Sequence, residues 1–470
     1  MTAKTYDAVV IGGGPAGYVC SIRLGQLAQR VLCVEKEEVG GVCLQWGCVP
    51  SKAIIETSHA YAKVRAGGFG LRVESAHIDA NEMQDWKDGI VKRLTGGVRL
   101  LFKSNNVDLV YGDARVAGHR SVAITTREGT TETVEVTKGI VIATGSSTIE
   151  IPGFRFDGTR VIGAKQAVSL REVPKRLVVV GGGAIGMELG GAYQRFGSEI
   201  AIVETLPHLL TGVDPDVVAV VERKYTTRGA KILKNAKALG YDSATDGSLA
   251  IRVEAGGKID SLAADVVIVA VGMRPNSAGI GLEELGVKLE RGFVTADKLG
   301  RTNVPGIYAI GDCSSTPMLA HKAMKEGEVV AEVIAGRKAA KDWIAIPAAI
   351  FTDPEIATVG LSEEQARQDG VEVQVGKFPF GALGRAMALN ETDGFVKVIA
   401  RKETNEILGF QIVGPEAADL ISESALALEM HAFLEDVGLT MHPHPTLGEG
   451  TMEATLHALG RAIHVVNRHA

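Results

Sequence analysis

Apolar residues in this chain gather in short unbroken runs, each closed by glycine. Residues 6–11 (YDAVVI) and 176–180 (RLVVV) are two such runs. An apolar run of this length without alternation reads as a strand buried on both faces of a parallel sheet. Each is followed by a glycine-rich turn, a stretch with helical spacing, and a second apolar run, 30–34 (RVLCV) and 199–203 (EIAIV). The pattern therefore predicts a β-α-β unit twice. Three more runs end in glycine: 139–143 before Thr144-Gly145-Ser146, 266–271 before Gly272, and 306–310 before Gly311-Asp312. Open α/β sheets bind ligands at such strand ends. From 348 onward the pattern changes to short strands (371–378, 395–400, 407–413) followed by amphipathic helical stretches (417–430 and 452–466).

This predicts an α/β chain with two Rossmann-like dinucleotide-binding domains and a C-terminal α+β domain. The length, 470 residues, suits about three domains. Pro152-Gly153, Pro174 and Pro347 mark the edges, and the chain leaves the second unit around 276–300. The expected segments are 1–150, 151–276, 277–346 returning to the first unit, and 347–470.

The two glycine turns share one spacing. Gly12, Gly14 and Gly17 form G-x-G-x-x-G, and Glu35 lies 23 residues beyond Gly12; Gly181, Gly183 and Gly186 repeat it, with Glu204 23 residues beyond Gly181. The first glycine allows the tight turn, the second lets backbone approach a pyrophosphate, and the third packs helix on strand. The helix N-terminus, here including Ala184 and Ile185, offers free N–H groups to phosphate. The acid accepts hydrogen bonds from a ribose diol. A carboxylate at Glu204, with no Arg in Thr205-Leu206-Pro207, favours NAD over a 2′-phosphorylated cofactor.

Composition narrows the function classes. Glycine is 57 of 470 residues, about one in eight against a norm near 7%, without any collagen period, so the excess belongs to special backbone positions. Asp+Glu 56 against Lys+Arg 50 leaves a net charge of −6, which argues against nonspecific nucleic-acid binding. No apolar run reaches the roughly 18 residues of a membrane span. The N-terminus shows neither a secretory nor a transit layout, so a cytoplasmic location is expected. In a reducing cytosol, a close pair among five cysteines is more often catalytic than structural.

Cys43 and Cys48 form C-x4-C within Gly41-Val42-Cys43-Leu44-Gln45-Trp46-Gly47-Cys48-Val49-Pro50-Ser51-Lys52. Zinc would need further ligands that no second cysteine pair supplies, so no metal is expected. Five residues of regular helix advance about 7.5 Å, too far for a disulfide with Cα atoms about 4.4–6.8 Å apart. A Cys43–Cys48 bond therefore requires broken helix, which Gly47 permits. If a helix starts near Pro50, Cys48 sits at its positive end, where a thiolate is favoured. Lys52 adds a second positive charge. Two inert buried thiols remain the bland alternative; Cys20 and Cys33 are read as core residues.

These segments, together with 143–146, 181–188, Gly311-Asp312 and a C-terminal His444-Pro445-Thr446, resemble the FAD-dependent pyridine nucleotide–disulfide oxidoreductases in order along nearly the whole chain. Within that family the chain is most similar to the dihydrolipoamide-oxidising members. The resemblance implies flavin-dependent oxidation of protein-bound dihydrolipoamide to lipoamide with reduction of NAD+. The alternative is a related disulfide reductase or quinone-type flavoenzyme. It implies FAD at Gly12, Gly14, Gly17, Glu35, Gly41, Val42, Lys52, Ala114, Ala143, Thr144, Gly145, Asp312, Met318, Leu319, Ala320 and His321. It implies NAD at Gly181, Gly183, Ala184, Ile185, Gly186, Glu204, Ala238 and Gly272. Cys43 would exchange with substrate and Cys48 face the flavin, with Lys52 paired to Glu188. His444, oriented by Glu449, would be the base, with His442 as the local alternative. The tail would be a dimerisation domain, and the second subunit of a homodimer would supply His444. Partners would be lipoyl domains and the acyltransferase core of a 2-oxoacid dehydrogenase complex, or the glycine-cleavage lipoyl protein. Two departures from the common pattern stand in the cysteine loop: Val42 in place of Thr, and Gln45-Trp46.

Overall fold

The computed structural model describes residues 4–244 and 247–467. The first apolar run forms β1 (Thr5–Ile11), whose residues Ala8, Val9 and Val10 are fully buried. It lies between β2 (Val31–Glu35) and β5 (Thr131–Ile142), parallel to both. The sheet continues through β3 (Val107–Gly118) on one side and Ile307–Ala309 on the other, again parallel. β5 shows how one strand serves two environments. Its first half alternates (TETVEV) and pairs antiparallel with β4 (Ser121–Thr126), leaving one face outside. Its second half (GIVI) is continuous and buried inside the parallel sheet.

Helix α1 (Pro15–Gln26) follows the first glycine turn. A Cβ on Gly17 would stand 1.8 Å from the Gly12 carbonyl oxygen, so only glycine lets α1 lie this close to the turn. Helix Ala320–Ile334 packs on α1 through Ala16, Cys20, Ala323, Val330 and Ala331. The chain thus returns, after the second unit, to the sheet it left. Between these pieces run α2 (Gly41–Gln45), α3 (Cys48–Ala66) and α4 (Ala80–Ser104). Asp79 caps α4 by accepting from the N–H groups of Asn81 and Glu82.

The second unit repeats the plan. Strands Lys231–Leu233, Glu199–Val203, Arg176–Val180, Val266–Val269 and Val161–Ile162 form a parallel sheet in that order. Helix Ala184–Phe196 leaves its glycine turn, and an antiparallel meander (Ala236–Ser243, Leu249–Ala255, Lys258–Ala264) completes it. The tail is an antiparallel sheet ordered Ala348–Ile350, Glu355–Gly360, Ile407–Gly414, Phe395–Arg401, Val373–Pro379. Helices Ala417–Glu429 and Glu449–Ala458 pack against it. The helix expected over 452–466 therefore starts earlier and stops at Ala458, because Gly460 turns the backbone left-handed (φ +68°). A buried charge cluster ties the tail to the second unit: Lys397, 1% exposed, reaches Asp214 and Glu363 at 2.8 Å each. Among the described residues no helix is long and apolar enough to cross a membrane.

Candidate active site

The two glycine turns are chemically matched. The Gly13 N–H donates to Glu35 Oε2 (2.6 Å) and the Glu37 N–H to Glu35 Oε1 (2.7 Å). In the second copy the Gly182 N–H donates to Glu204 Oε2 (2.7 Å) and the Leu206 N–H to Glu204 Oε1 (2.8 Å). Backbone thus fixes each carboxylate at its strand end. Burial pushes the Glu35 carboxyl above its ordinary range, against the opposing pull of these N–H donors. The helices that follow begin at Gly14 and Gly183, and no side chain caps either. Their first N–H groups are left for an external acceptor. A Cβ on Gly183 would meet nothing within 4 Å. Open space over uncapped N–H groups fits a pyrophosphate, and Ala184 and Ile185 form the first turn beneath it.

The first cradle gathers several expected residues. Ala143 abuts both Gly12 and Gly17. Gly41 folds back onto Gly14: at φ +54° it is left-handed, and a Cβ there would stand 2.7 Å from the Gly14 Cα. The cysteine segment is thereby laid beside the first turn. Thr144 and Gly145 carbonyls accept from Asn276 (3.1 and 2.9 Å). Asp312 Oδ2 accepts from the Ser146 hydroxyl at 2.8 Å, and burial pushes the Asp312 carboxyl up. Met318 and Leu319 lead into the helix that starts at Ala320, and His321 Nε2 bonds the Pro347 carbonyl (2.7 Å). Ala114 sits on β3 opposite Ile124 of β4, and Ala238 lies buried in the meander. The Gly272 carbonyl accepts from the Ile149 N–H at 3.2 Å.

Between Cys43 and Cys48 the helix breaks. α2 ends at Gln45, Trp46 and Gly47 leave helical geometry, and α3 starts at Cys48 itself. The Val42 carbonyl accepts from both the Trp46 and Gly47 N–H groups (3.1 and 2.6 Å), drawing the loop tight. Gln45 holds the Val39 carbonyl (2.9 Å), and Trp46 packs against the core of the second unit. The structure holds the two cysteines as free thiols, Cys43 buried and Cys48 exposed, with the Cys43 thiol donating to Cys48. That bond raises the Cys43 thiol and lowers Cys48, with Lys52 adding to the lowering. Of the two sulfurs, Cys48 is the one whose surroundings favour the thiolate form. Cys20, Cys33 and Cys313 are fully buried, where burial raises each thiol.

Lys52 Nζ pairs with Glu188 Oε2 at 2.9 Å, across 136 residues of sequence. Glu188 Oε1 accepts from the Phe351 N–H (2.9 Å), and the Phe351 ring lies 4.4 Å from Lys52 Nζ. No local pattern flags Phe351; its contact partner is 163 residues away. Ser146 was within reach of sequence reading, since it closes the motif containing Thr144 and Gly145.

In the tail, His444 Nδ1 bonds Glu449 Oε1 at 2.8 Å, and Glu449 Oε2 accepts from the Thr446 N–H at 2.8 Å. The His444 side chain is 78% exposed. His442 differs: Nδ1 bonds the Thr440 carbonyl and Nε2 bonds Glu423, both at 2.9 Å, and its side chain is 6% exposed. Both its nitrogens are occupied, so the local alternative has no lone pair for substrate. His444 spends only Nδ1 on Glu449, and its side chain is otherwise mostly exposed.

The family model described as pyridine nucleotide-disulphide oxidoreductase matches residues 6–327, and the dimerisation-domain model of the same family matches 346–455. The dihydrolipoyl dehydrogenase of Geobacillus stearothermophilus is 46% identical over 464 residues, 98% of each chain. That of Bacillus subtilis is 46% identical over 463 residues, again 98% of each. Among solved structures, LpdA from Mycobacterium tuberculosis superposes with a TM-score of 0.89 at 26% identity, covering 95% of this chain and 98% of that one. The flavoprotein disulfide reductase RclA from Escherichia coli shares the fold, with a TM-score of 0.85 at 24% identity over 96% of this chain and 99% of its own. Twin glycine cradles, a cysteine pair on broken helix and full-length matches on both sides converge: the chain belongs to the pyridine nucleotide-disulphide oxidoreductase family.

Proposed function

We propose that this chain oxidises a protein-bound dihydrolipoyl group to the lipoyl disulfide with reduction of NAD+, acting as a homodimer in the cytoplasm. The observation that carries the reading is the Cys43–Cys48 pair at the start of α3, with the Lys52–Glu188 pair beside it. Full-length relatives at 46% identity named dihydrolipoyl dehydrogenase support it. We assign 1–150 and 277–346 to an FAD-binding unit, 151–276 to an NAD-binding unit and 347–470 to the dimer interface. FAD would be held by Gly12, Gly14, Gly17 and Gly41, with Glu35 on the ribose and Asp312 on the ribityl chain. NAD would be held by Gly181, Gly183 and Gly186, with Glu204 on its ribose diol.

The protein's own steps follow from its side chains. Glu449 engages His444 Nδ1, which leaves Nε2 unprotonated and facing outward in the neutral ring. His444, delivered by the second subunit, takes a proton from the substrate dithiol. The substrate thiolate attacks Cys43 of the Cys43–Cys48 disulfide, forming a mixed disulfide and releasing Cys48 as thiolate. The second substrate thiol attacks the substrate sulfur of that mixed disulfide, its proton passing to the departing Cys43 sulfur, which closes the lipoyl ring and frees Cys43 as a thiol. Helix α3's positive end and Lys52 hold the Cys48 charge. Bound flavin supplies two-electron chemistry between the thiols and the nicotinamide. The dithiol donor would be a lipoyl domain docked on a 2-oxoacid dehydrogenase core, or the glycine-cleavage lipoyl protein.

The test is a spectrum of the purified flavoprotein with a few equivalents of dihydrolipoamide. A long-wavelength thiolate–flavin band, with NADH formed faster than with glutathione or hydroquinones as donors, is the expected result. A flavin-loaded protein without that band, or turnover surviving Cys43→Ser, overturns the reading.

A further inference from the structure

The Lys52–Glu188 pair has a third member that neither helix supplies. Lys52 Nζ meets Glu188 Oε2 at 2.9 Å, Glu188 Oε1 accepts the Phe351 N–H at 2.9 Å, and the Phe351 ring lies 4.4 Å from Lys52 Nζ. Each member touches the other two, so the triangle is closed. Lys52 comes from α3, Glu188 from helix Ala184–Phe196, and Phe351 from the segment entering the tail sheet.

A lysine with one carboxylate oxygen as partner swings freely on its four-carbon stem. The Lys52 side chain is only 32% exposed, and an aromatic face attracts an ammonium most where water is partly removed. The segment bearing Phe351 is itself anchored. Asp353 binds Arg228 at 2.6 Å and lies 3.9 Å from Arg195, seven residues beyond Glu188 on the same helix. Arg195 Nε in turn donates to Ser58 Oγ (2.8 Å), six residues beyond Lys52 on α3. The same three pieces of chain are therefore joined twice, about two helical turns apart. Among the described residues, the charged and titratable groups acting on the cysteine pair include Tyr18 from α1, Lys52 from α3 and Glu188 from the facing helix.

We propose that Phe351 is a positioning residue for Lys52: its ring and backbone N–H together hold the Lys52–Glu188 pair in place beside Cys48, so that seating of the tail segment sets how strongly the Cys48 thiolate is stabilised. This rests on the role given to Cys48 above. Phe351→Leu retains the backbone N–H and most of the apolar volume but removes the aromatic face; Phe351→Tyr retains both.

The experiment is a pH titration of the thiolate–flavin band in dithiol-reduced holoenzyme, with the rate of Cys48 alkylation by iodoacetamide as second readout. In Phe351→Leu the titration midpoint is expected to rise by about half a pH unit, which is about threefold less thiolate on the acid side of the midpoint. Phe351→Tyr is expected to titrate as the native protein, and Phe351→Leu to add nothing in a Lys52→Met background. A native-like titration in Phe351→Leu, or the same rise in the Lys52→Met background, overturns the proposal. A native protein lacking the band overturns both it and the reading beneath it, whereas a native band with Phe351→Leu unmoved removes only the role of Phe351.

Discussion

Replacing Glu449 by Gln tests the acid–base assignment while changing one atom. The carboxylate now serves two donors, the His444 Nδ1–H through Oε1 and the Thr446 N–H through Oε2, both at 2.8 Å. Burial pushes this carboxyl up, but the two donors outweigh it and hold it below its usual range. A carboxamide has one oxygen. Thr446 is backbone and fixed, so it keeps that oxygen, and the amide NH2 turns toward Nδ1. The imidazole must then carry its proton on Nε2, the wrong tautomer for taking one from a thiol. A hydrogen bond to a charged partner contributes about 1.5–3 kcal/mol. The ring is mostly exposed, so solvent screening favours the lower part of that range. About 1.5–2 kcal/mol corresponds to a roughly 10–30-fold loss. The assay is kcat/KM for dihydrolipoamide with NAD+, set beside NADH oxidation by a quinone acceptor, which removes no proton from a dithiol. Glu449→Gln should lower the first 10–30-fold, leave the second intact, and add little in a His444→Ala background. Retained dihydrolipoamide turnover, or equal loss in both assays, refutes the reasoning.

Four further outcomes follow from particular side chains and their surroundings. Gly17→Ala places a methyl group 1.8 Å from the Gly12 oxygen; it should purify without flavin, read as lost absorbance near the flavin maximum. Gly89→Ala, on α4 with open space around it, should bind flavin normally. Lys397→Met removes the buried cation from Asp214 and should cost about 3 kcal/mol or more, read as a lower urea midpoint; an unchanged midpoint counts against a structural role for that cluster. Hydrogen bonding to Glu423 raises the His442 pKa. A group raised on folding stabilises fully below its unfolded pKa, about 6.5 for His, and loses that stabilisation as pH rises through the folded value. Native urea midpoints should therefore fall from about pH 6.5 upward by an amount that disappears in His442→Gln.

Local patterns made much of the nucleotide-binding architecture readable in advance. β1, β2 and their counterparts in the second unit follow from unbroken apolar runs. The two cradles follow from glycine turns whose carboxylate partners, Glu35 and Glu204, each lie 22 residues from the N–H they bind. The broken helix at the cysteines was legible for the same reason: Gly47 and the required sulfur spacing act over six residues. Other elements left weaker marks. β3, β4, the first half of β5 and α4 were not anticipated, and the last helix was extended past Gly460 because apolar spacing alone does not register a left-handed turn. His442 and His444 look alike in sequence, each followed by proline. Glu423, nineteen residues upstream on helix Ala417–Glu429, separates them by occupying the second nitrogen of one.

The sequence by itself determined where backbone bends, where strands are buried on both faces, and which residues carry sulfur, carboxylate and imidazole. Those properties are local, set by backbone sterics and the alternation of apolar groups over a few residues. Only the tertiary structure decided which charges meet. Lys52 with Glu188 and Phe351, and Lys397 with Asp214, join positions 136 to 299 residues apart. Such pairings arise because packing removes water from both partners at once. A buried charge must then find its counterion wherever the fold has brought one.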